Sequence, residues 1–212
     1  MRIAILGAGG VGLALSRALH AAGHQVSLGS RAPRPRDGLP VPVLHHLEAA
    51  RDADLVVNAT PGSVSLETLT ALGDAWLDGK VLLDLANAAT DEGALLYPNA
   101  SLAEHLQRAF PRAMVVKALS TFNTSVMTSP GILPQATTAY IAGDDADAKR
   151  AVAELVVDLG WSGDRILDLG DLAAARAIEH YYPLFLATYR ALRTLVFNVA
   201  VVTEDGRGAP RA

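Results

Sequence analysis

The glycine pattern near the start of the chain constrains the fold more than any other feature of the sequence. Gly7, Gly9 and Gly12 form G-x-G-x-x-G directly after a short apolar run, Arg2–Leu6, and directly before a segment with helical periodicity. In that context the pattern predicts the first strand, turn and helix of a dinucleotide-binding fold. Gly7 permits the tight turn, Gly9 lets a pyrophosphate approach the backbone, and Gly12 lets the helix pack on the strand. The residues predicted to bind the pyrophosphate at this helix N-terminus are Gly7, Gly9, Gly10, Val11 and Gly12.

The rest of the chain alternates apolar runs with helical segments, which predicts an α/β fold with a doubly wound, mainly parallel sheet of the Rossmann type and a small C-terminal helical portion. Consecutive apolar positions within each run indicate burial on both faces. The predicted strands are Arg2–Leu6, His24–Leu28, Val41–Leu44, Leu55–Asn58, Val81–Leu85, Met114–Leu119, Ala139–Ala142 and Ile166–Leu167. We predict a dinucleotide-binding domain over residues 1–143, a C-terminal portion over 144–202 and a flexible tail over 203–212.

Three helices are predicted after the first one. Thr60 and Pro61 resemble an N-cap and a first helical position, and a second segment starts near Asp144 and ends near Leu159. The last helix is expected to run from Asp171 to about Val202. It is apolar around most of its circumference, which favours either deep burial or a homodimer interface, and we predict a homodimer.

Composition narrows the class of protein. The 212 residues are 50% hydrophobic and 19% charged, which excludes a disordered chain. A formal net charge of −4 argues against nucleic-acid binding, and the absence of Cys excludes disulfides and zinc–thiolate sites. Arg190 and Arg193 interrupt the longest apolar stretch, so a membrane span is not expected. We therefore expect a cytoplasmic protein that acts on a small molecule, without nucleic acid, membrane or bound metal.

The end of the second strand indicates which dinucleotide binds. An Asp or Glu at this position would bind the ribose 2′-hydroxyl of NAD. This chain has Ser30 and Arg31 instead, with no acid before Asp37. A hydroxyl followed by a guanidinium suits a 2′-phosphate, since Arg binds phosphate oxygens through its planar fork. The sequence therefore predicts NADP(H), with further charge from Arg34 and a solvated Arg36.

Polar residues follow the later strands, at the edge where open parallel sheets bind ligands. Thr60 suits cofactor contact and helix capping equally, and Asn87 suits either contact with the nicotinamide end or closure of a turn. Lys117 lies in an apolar strand, so it is either a site residue or one half of a structural ion pair. The cofactor contacts predicted at these strand ends are Asn58, Ala59, Thr60 and Asn87.

No catalytic acid, base or nucleophile stands out in the sequence. His45 and His46 are expected at a solvated strand end. Arg176 and Glu179 are three residues apart on the last helix, which predicts an exposed ion pair. His180 beside them either faces the cleft or is structural, and the catalytic residues stay unassigned.

Four segments together resemble the NADPH-dependent coenzyme F-420 reductases, also called F-420-dependent NADP oxidoreductases: GAGGVG, GHQVSLGSR, IAGDD and LDLGDLAAARAIEH. The resemblance extends over about residues 1–202. It implies a Rossmann domain in which the glycine turn binds pyrophosphate, while Ser30 and Arg31 bind the 2′-phosphate. It also implies direct hydride transfer between the nicotinamide and a stacked deazaflavin, which depends on geometry more than on an acid–base group.

The same resemblance implies that the loop after the sixth strand, residues 120–124, and the start of the last helix border the hydride acceptor. The predicted substrate contacts are Ser120, Thr121, Phe122 and Asn123 in this loop, together with Lys117 in the strand before it. Archaeal family members carry a histidine and a proline in this loop, where this chain has Ser120 and Asn123, so FMN or FAD is a second class of acceptor. Two other functions remain compatible with the sequence: a reductase of small imines or ketones resembling pyrroline-5-carboxylate reductase, and a non-catalytic NADP sensor.

Overall fold

The computed structural model describes residues 1–204, which form one eight-stranded sheet flanked by helices. The strands are β1 (Arg2–Leu6), β2 (Gln25–Ser30), β3 (Val43–His45), β4 (Leu55–Asn58), β5 (Val81–Asp84), β6 (Met114–Ala118), β7 (Ala139–Gly143) and β8 (Ile166–Asp168). Their spatial order is β3-β2-β1-β4-β5-β6-β7-β8, and every neighbouring pair is parallel except β6 with β7. The predicted α/β fold class is confirmed, and each predicted strand is present within two residues of its expected ends.

Seven helices connect these strands within the described part of the chain. They are α1 (Gly10–Ala21), α2 (His46–Ala50), α3 (Gly62–Thr70), α4 (Leu102–Ala109), α5 (Thr124–Thr128), α6 (Ala146–Asp158) and α7 (Ala175–Leu192). Helix α4 was not predicted, although Ser101 and Glu104 form a complete capping box at its start. Helices α2 and α5 have five residues each, too few to show a helical period in the sequence.

The core lies on both faces of the sheet, because alternate residues of a strand point to opposite sides. Ile3 and Ile5 of β1 belong to the apolar cluster beneath α1 and α6, whereas Ala4 and Leu6 belong to the cluster beneath α3 and α4. All four side chains are at most 1% exposed. Full burial of one Ile or Leu side chain stabilises a fold by about 1.5–3 kcal/mol, so continuous apolarity is what a central parallel strand requires.

The last helix is shorter than expected, and the prediction that it continues to Val202 is wrong. Helix α7 ends at Leu192 because Arg193 takes a left-handed conformation, with φ of 56°. The chain then turns back beside β7, where Thr138 donates its N–H to the carbonyl oxygen of Val199 at 3.0 Å. None of the helices within residues 1–204 has the length and apolarity needed to cross a membrane.

The boundary predicted after residue 143 falls within a single sheet, because β7 before it pairs in parallel with β8 after it. The division into two portions therefore stays a prediction about organisation. Of the tail predicted over residues 203–212, residues 205–212 lie outside the described part of the chain.

Candidate functional site

A cleft of about 690 Å³ opens at the carboxyl ends of β1, β2, β4 and β5. It begins beside Ser30 and Arg31, passes over the glycine turn, and reaches the loop that follows β5. The predicted residues on its wall are Gly7, Gly9, Gly10, Val11, Ser30, Arg31, Ala59, Thr60 and Asn87. The structure thus brings most of the predicted cofactor contacts together along one groove.

The glycine turn is shaped by two close backbone approaches. Gly7 has a φ of +122°, and a Cβ there would lie 2.3 Å from the carbonyl oxygen of Ala59. A Cβ on Gly12 would lie 1.9 Å from the carbonyl oxygen of Gly7, so Gly12 serves packing and does not line the cleft. Gly9 faces open space and precedes α1, whose first N–H groups have no side-chain cap. Free N–H groups and a helix dipole at this point suit an anionic ligand.

The basic loop after β2 brings a different arginine to the glycine turn than the one predicted. Arg34 is exposed and is not among the residues that line the cleft. Arg36, expected to be solvated only, donates from Nη2 to the carbonyl oxygen of Ala8 at 3.0 Å. Arg31 is exposed on the cleft wall, and Ser30 Oγ accepts a hydrogen bond from the N–H of Ala32 at 3.2 Å. Arg36 therefore adds positive charge beside the turn in the place expected for Arg34.

Asn58 is a structural residue, which corrects its assignment as a cofactor contact. Its side chain is fully buried, with Nδ2 donating to Asp84 Oδ1 at 2.8 Å and Oδ1 accepting from Thr60 Oγ1 at 2.6 Å. Thr60 reaches the cleft wall, but its hydroxyl is also 2.7 Å from Ser65 Oγ. Helix α3 begins at Gly62 with Pro61 as an N-cap that makes no side-chain hydrogen bond, so the expected capping by Thr60 is wrong.

Lys117 belongs to an ionic cluster and is fully buried, which corrects its assignment as a substrate contact. Its Nζ lies 2.9 Å from Asp84 Oδ2 and 3.0 Å from Glu179 Oε1, and it also donates to the carbonyl oxygen of Ala86. Burial lowers the pKa of Lys117, but the two carboxylates outweigh burial and the net pKa is raised. Asp84 Oδ1 meanwhile accepts the N–H of Ala86 at 3.2 Å. The cluster therefore fixes both backbone groups of a residue on the cleft wall.

Arg176 and Glu179 do not form the exposed ion pair that was predicted for α7. Glu179 is 2% exposed and accepts the N–H of Leu102 at 3.0 Å, at the start of α4. Arg176 instead pairs with Glu104, its Nη2 lying 2.6 Å from Oε1. Both ring nitrogens of His180 lie against backbone carbonyl oxygens, those of Arg176 and Pro98, so His180 is structural.

A second cavity of about 180 Å³ continues from the cleft and shares Val11, Leu85, Asn87 and Tyr182 with it. The predicted substrate residues that line it are Ser120, Phe122 and Asn123. Thr121 is 2% exposed and lies off this wall, contrary to its prediction as a contact. The described residues lining the cavity are mainly apolar and include no Lys, Arg, Asp or Glu.

Local packing holds the wall of the second cavity in place. The Phe122 ring stacks on Trp161 at 4.6 Å between centroids, and Asn123 Oδ1 accepts the N–H of Ser125 to cap α5. The Asn87 amide donates from Nδ2 to the carbonyl oxygen of Ser120 at 2.7 Å. The other polar side-chain atoms of the two residues, Asn87 Oδ1 and Ser120 Oγ, are buried and have no hydrogen-bond partner among the described residues.

Several wall residues are absent from the predicted site, and three of them carry polar or aromatic groups that could contact a ligand: His46, Tyr182 and Phe185. His46 is 6% exposed and lies on the cleft wall, so its prediction as part of a solvated strand end is wrong, although His45 is exposed. A signal existed, because His46 directly follows β3 at the ligand-binding edge of the sheet. Tyr182 and Phe185 come from α7, the helix that the family resemblance places beside the acceptor, but their sequence positions do not indicate which turn faces the cleft. In residues 1–204 no group of three or more His, Asp or Glu could hold a metal ion.

Comparison with known proteins identifies the family. Residues 2–88 match the family described as NADP oxidoreductase, coenzyme F-420-dependent. A solved structure from Arthrobacter sp. FB24, provisionally named an F-420-dependent NADP-reductase, is 38% identical, with coverage of 96% of this chain and 100% of that chain and a TM-score of 0.90. The chain belongs to the coenzyme F-420-dependent NADP oxidoreductase family. Membership in this NADP-dependent oxidoreductase family confirms the resemblance drawn from the four sequence segments.

More distant structures share the fold of this F-420-dependent oxidoreductase family member. The hypothetical protein SMa0349 from Sinorhizobium meliloti is 29% identical, covering 84% of this chain and 89% of its own, with a TM-score of 0.68. The Plasmodium falciparum pyrroline carboxylate reductase, solved with NADP bound, is 14% identical, covering 91% of this chain and 67% of its own, with a TM-score of 0.60. At that identity the likeness extends to the fold alone. Comparison with curated proteins gave no match.

Proposed function

We propose that the chain binds NADP(H) in the cleft and transfers hydride directly between the nicotinamide and a planar ring in the adjoining cavity, either the deazaflavin of coenzyme F-420 or a flavin. The observation that carries the proposal is the continuity of the two cavities. A nucleotide whose 2′-phosphate lies beside Ser30 and Arg31 would cross the glycine turn and bring its nicotinamide to Asn87, where the second cavity begins.

The residues present fit this cofactor. Gly9 leaves open space before uncapped helix N–H groups, which suits the pyrophosphate. A hydroxyl and a guanidinium at the end of β2 suit a 2′-phosphate, and Arg36 adds charge beside the turn. Nicotinamide supplies hydride chemistry when bound, and the chain's task is to hold two rings in contact and exclude water. Asn87 Oδ1 and Ser120 Oγ are the unpartnered polar atoms available to orient them.

The charge of the second cavity favours a neutral ring over a small carboxylate substrate. A buried carboxylate needs a cationic or hydrogen-bonding partner. The described wall offers no Lys or Arg, while Val11, Leu85, Met127 and Phe185 give it apolar area. A reductase of a carboxylate-bearing imine is therefore the weaker candidate, although a neutral imine or ketone would fit.

The same proposal extends to assembly. Beyond its first turns α7 exposes apolar side chains, with Leu184 57% and Leu192 56% exposed, and Leu195 and Val196 after the helix are exposed as well. We propose that a second copy covers it, giving a homodimer through the C-terminal helix. Sedimentation at micromolar concentration tests this, and a monomer would overturn it.

Binding and turnover test the central proposal together. The wild-type protein is titrated with NADPH and NADH, and NADPH oxidation is then followed with coenzyme F-420, FMN, FAD, riboflavin and pyrroline-5-carboxylate. Arg31→Glu should weaken NADPH binding about ten- to a hundredfold, the range for losing one charge-assisted hydrogen bond. Arg34→Glu is the matched control, because Arg34 lies in the same loop but off the cleft wall. Equal effects of the two substitutions would contradict the 2′-phosphate assignment, and tight NADPH binding with no acceptor reduced would favour the sensor.

A further inference from the structure

His46 occupies a position that the proposed function does not use. It is the first residue of α2 and follows His45, which pairs in register with Ser30 of the neighbouring strand. The imidazole therefore lies at the end of the cleft beside Ser30 and Arg31, on the cleft wall and 6% exposed. Gly29 makes room for it, because a Cβ at that position would lie 3.0 Å from His46 Cδ2.

The hydrogen bonding of His46 leaves one ring nitrogen for a ligand. One nitrogen interacts with the backbone of Gly29, which partly raises the pKa of the ring. Gly29 also accepts the N–H of Gly7, at 3.0 Å, which ties this part of the wall to the glycine turn. In a neutral imidazole whose single N–H is used in this way, the other nitrogen carries a lone pair.

The charged and titratable groups acting on the ring are Arg31, from the loop after β2, and His45, the last residue of β3. Burial, then Arg31, then His45 lower the pKa of His46 below its usual value, which favours the neutral ring when no ligand is bound. A phosphate dianion beside Arg31 would reverse the sign of the local charge. A lone pair facing phosphate oxygens is repelled, whereas an N–H donates to them.

We infer that His46 is a further phosphate-binding group of the cleft, which takes up one proton from solvent and donates its second N–H to a nucleotide 2′-phosphate held beside Ser30 and Arg31. The inference rests on the proposed function, because it requires that NADP(H) binds in this orientation. No covalent bond changes, and the only exchange is one proton between solvent and the imidazole. A dinucleotide without the 2′-phosphate gives the ring no reason to protonate.

Calorimetric titration in buffers of different ionisation enthalpy measures this proton directly. At pH 7.5 the 2′-phosphate is already a dianion, since a phosphate monoester has its second pKa near 6, so uptake reports on the protein. Wild type should take up a substantial fraction of one proton on binding NADPH and none on binding NADH. Between pH 7 and 8.5 its NADPH affinity should fall, by at most tenfold for each pH unit since one proton is linked.

Variants assign the proton to this residue. His46→Gln keeps a side-chain N–H but cannot titrate, so proton uptake should disappear and NADPH affinity should become independent of pH, with NADH binding unchanged. His45→Gln is the matched control and should retain the uptake, because His45 is exposed. NADPH binding without proton uptake in wild type, or with equal uptake in His46→Gln, would overturn the inference while leaving the proposed function standing. Absence of NADPH binding would overturn both, and absence of proton uptake by the wild type overturns the inference even if a variant fails to fold.

Discussion

Replacing Lys117 by Met should destabilise the protein strongly, because it removes the cation from a buried cluster and leaves two carboxylates behind. Lys117 and Asp84 are both fully buried, and the Glu179 side chain is 3% exposed. Met has a similar volume and flexible stem, so the substitution changes charge more than packing. Asp84 would keep its bonds from Asn58 and Ala86, but the Ala86 carbonyl oxygen would lose its ammonium donor.

The magnitude follows from the geometry of the cluster. Breaking a buried ion pair by removing one partner costs about 3–5 kcal/mol, a large share of the roughly 5–15 kcal/mol that stabilises a typical domain. For a chain of this size that loss lowers the melting temperature by roughly 6–20 °C. Urea unfolding at pH 7, followed by circular dichroism, measures the free energy of unfolding directly.

Two comparisons make the result interpretable. Lys149→Met removes a lysine whose partner, Asp168, is half-exposed, so we expect a loss of about 0–1 kcal/mol. Adding Asp84→Asn to Lys117→Met should recover part of the lost stability, because one uncompensated buried charge disappears. If Lys117→Met and Lys149→Met destabilise equally, the description of the cluster as a structural ion pair is wrong.

Two further substitutions test the site and the link between α4 and α7. In Gly62→Ala the new Cβ would lie 2.0 Å from the carbonyl oxygen of Asn87, so the loop must shift and turnover should fall at least tenfold. Gly131→Ala is the control, because a Cβ there would have no neighbouring atom within 4 Å. Equal activities of the two variants would contradict this explanation. The side-chain hydrogen bond from Arg176 lowers the pKa of Glu104 to about 2 from its usual 4.5, so its stabilisation is present above pH 4.5 and is lost as the pH falls towards 2. Glu104→Gln retains a side chain suited to the capping box. Its urea midpoint should lie below that of wild type at pH 7 and approach it at pH 3. A difference between the two midpoints that does not change with pH would refute the ion-pair explanation.

Much of the fold could be predicted because a parallel sheet leaves local marks in the sequence. Each central strand is apolar at consecutive positions, and the glycine turn needs Gly7 and Gly12 for backbone contacts within 2.5 Å of their missing Cβ atoms. The end of α7 left no comparable mark. It depends on Arg193 adopting a left-handed conformation, which a non-glycine residue does only where the surrounding structure holds it.

The candidate site was predictable where it follows strand ends and not where it depends on distant partners. Ser30, Arg31 and Asn87 lie on the cleft wall, as their positions after strands suggest. The role of Lys117 depends on Glu179, which is 62 residues away in sequence and reaches it only because α7 packs across the sheet. The sequence left two roles open for Lys117, a site residue or one half of a structural ion pair. Its buried partners, which no local pattern specifies, show that it belongs to a structural ion pair.

The measurement that tests the account most directly is isotope transfer in a single turnover. NADPH carrying deuterium at the transferable C4 position is mixed with the protein and coenzyme F-420, and with FMN in parallel, and the reduced products are analysed by mass spectrometry and NMR. Direct transfer between rings held in the two connected cavities predicts a primary isotope effect on the rate with either acceptor. With coenzyme F-420 it also predicts deuterium on the acceptor ring, because the deazaflavin receives it on a carbon, whereas a flavin receives it on a nitrogen that exchanges with water. Loss of the label to solvent in the reaction with coenzyme F-420, no isotope effect with either ring, or no oxidation of NADPH by either ring would contradict the account.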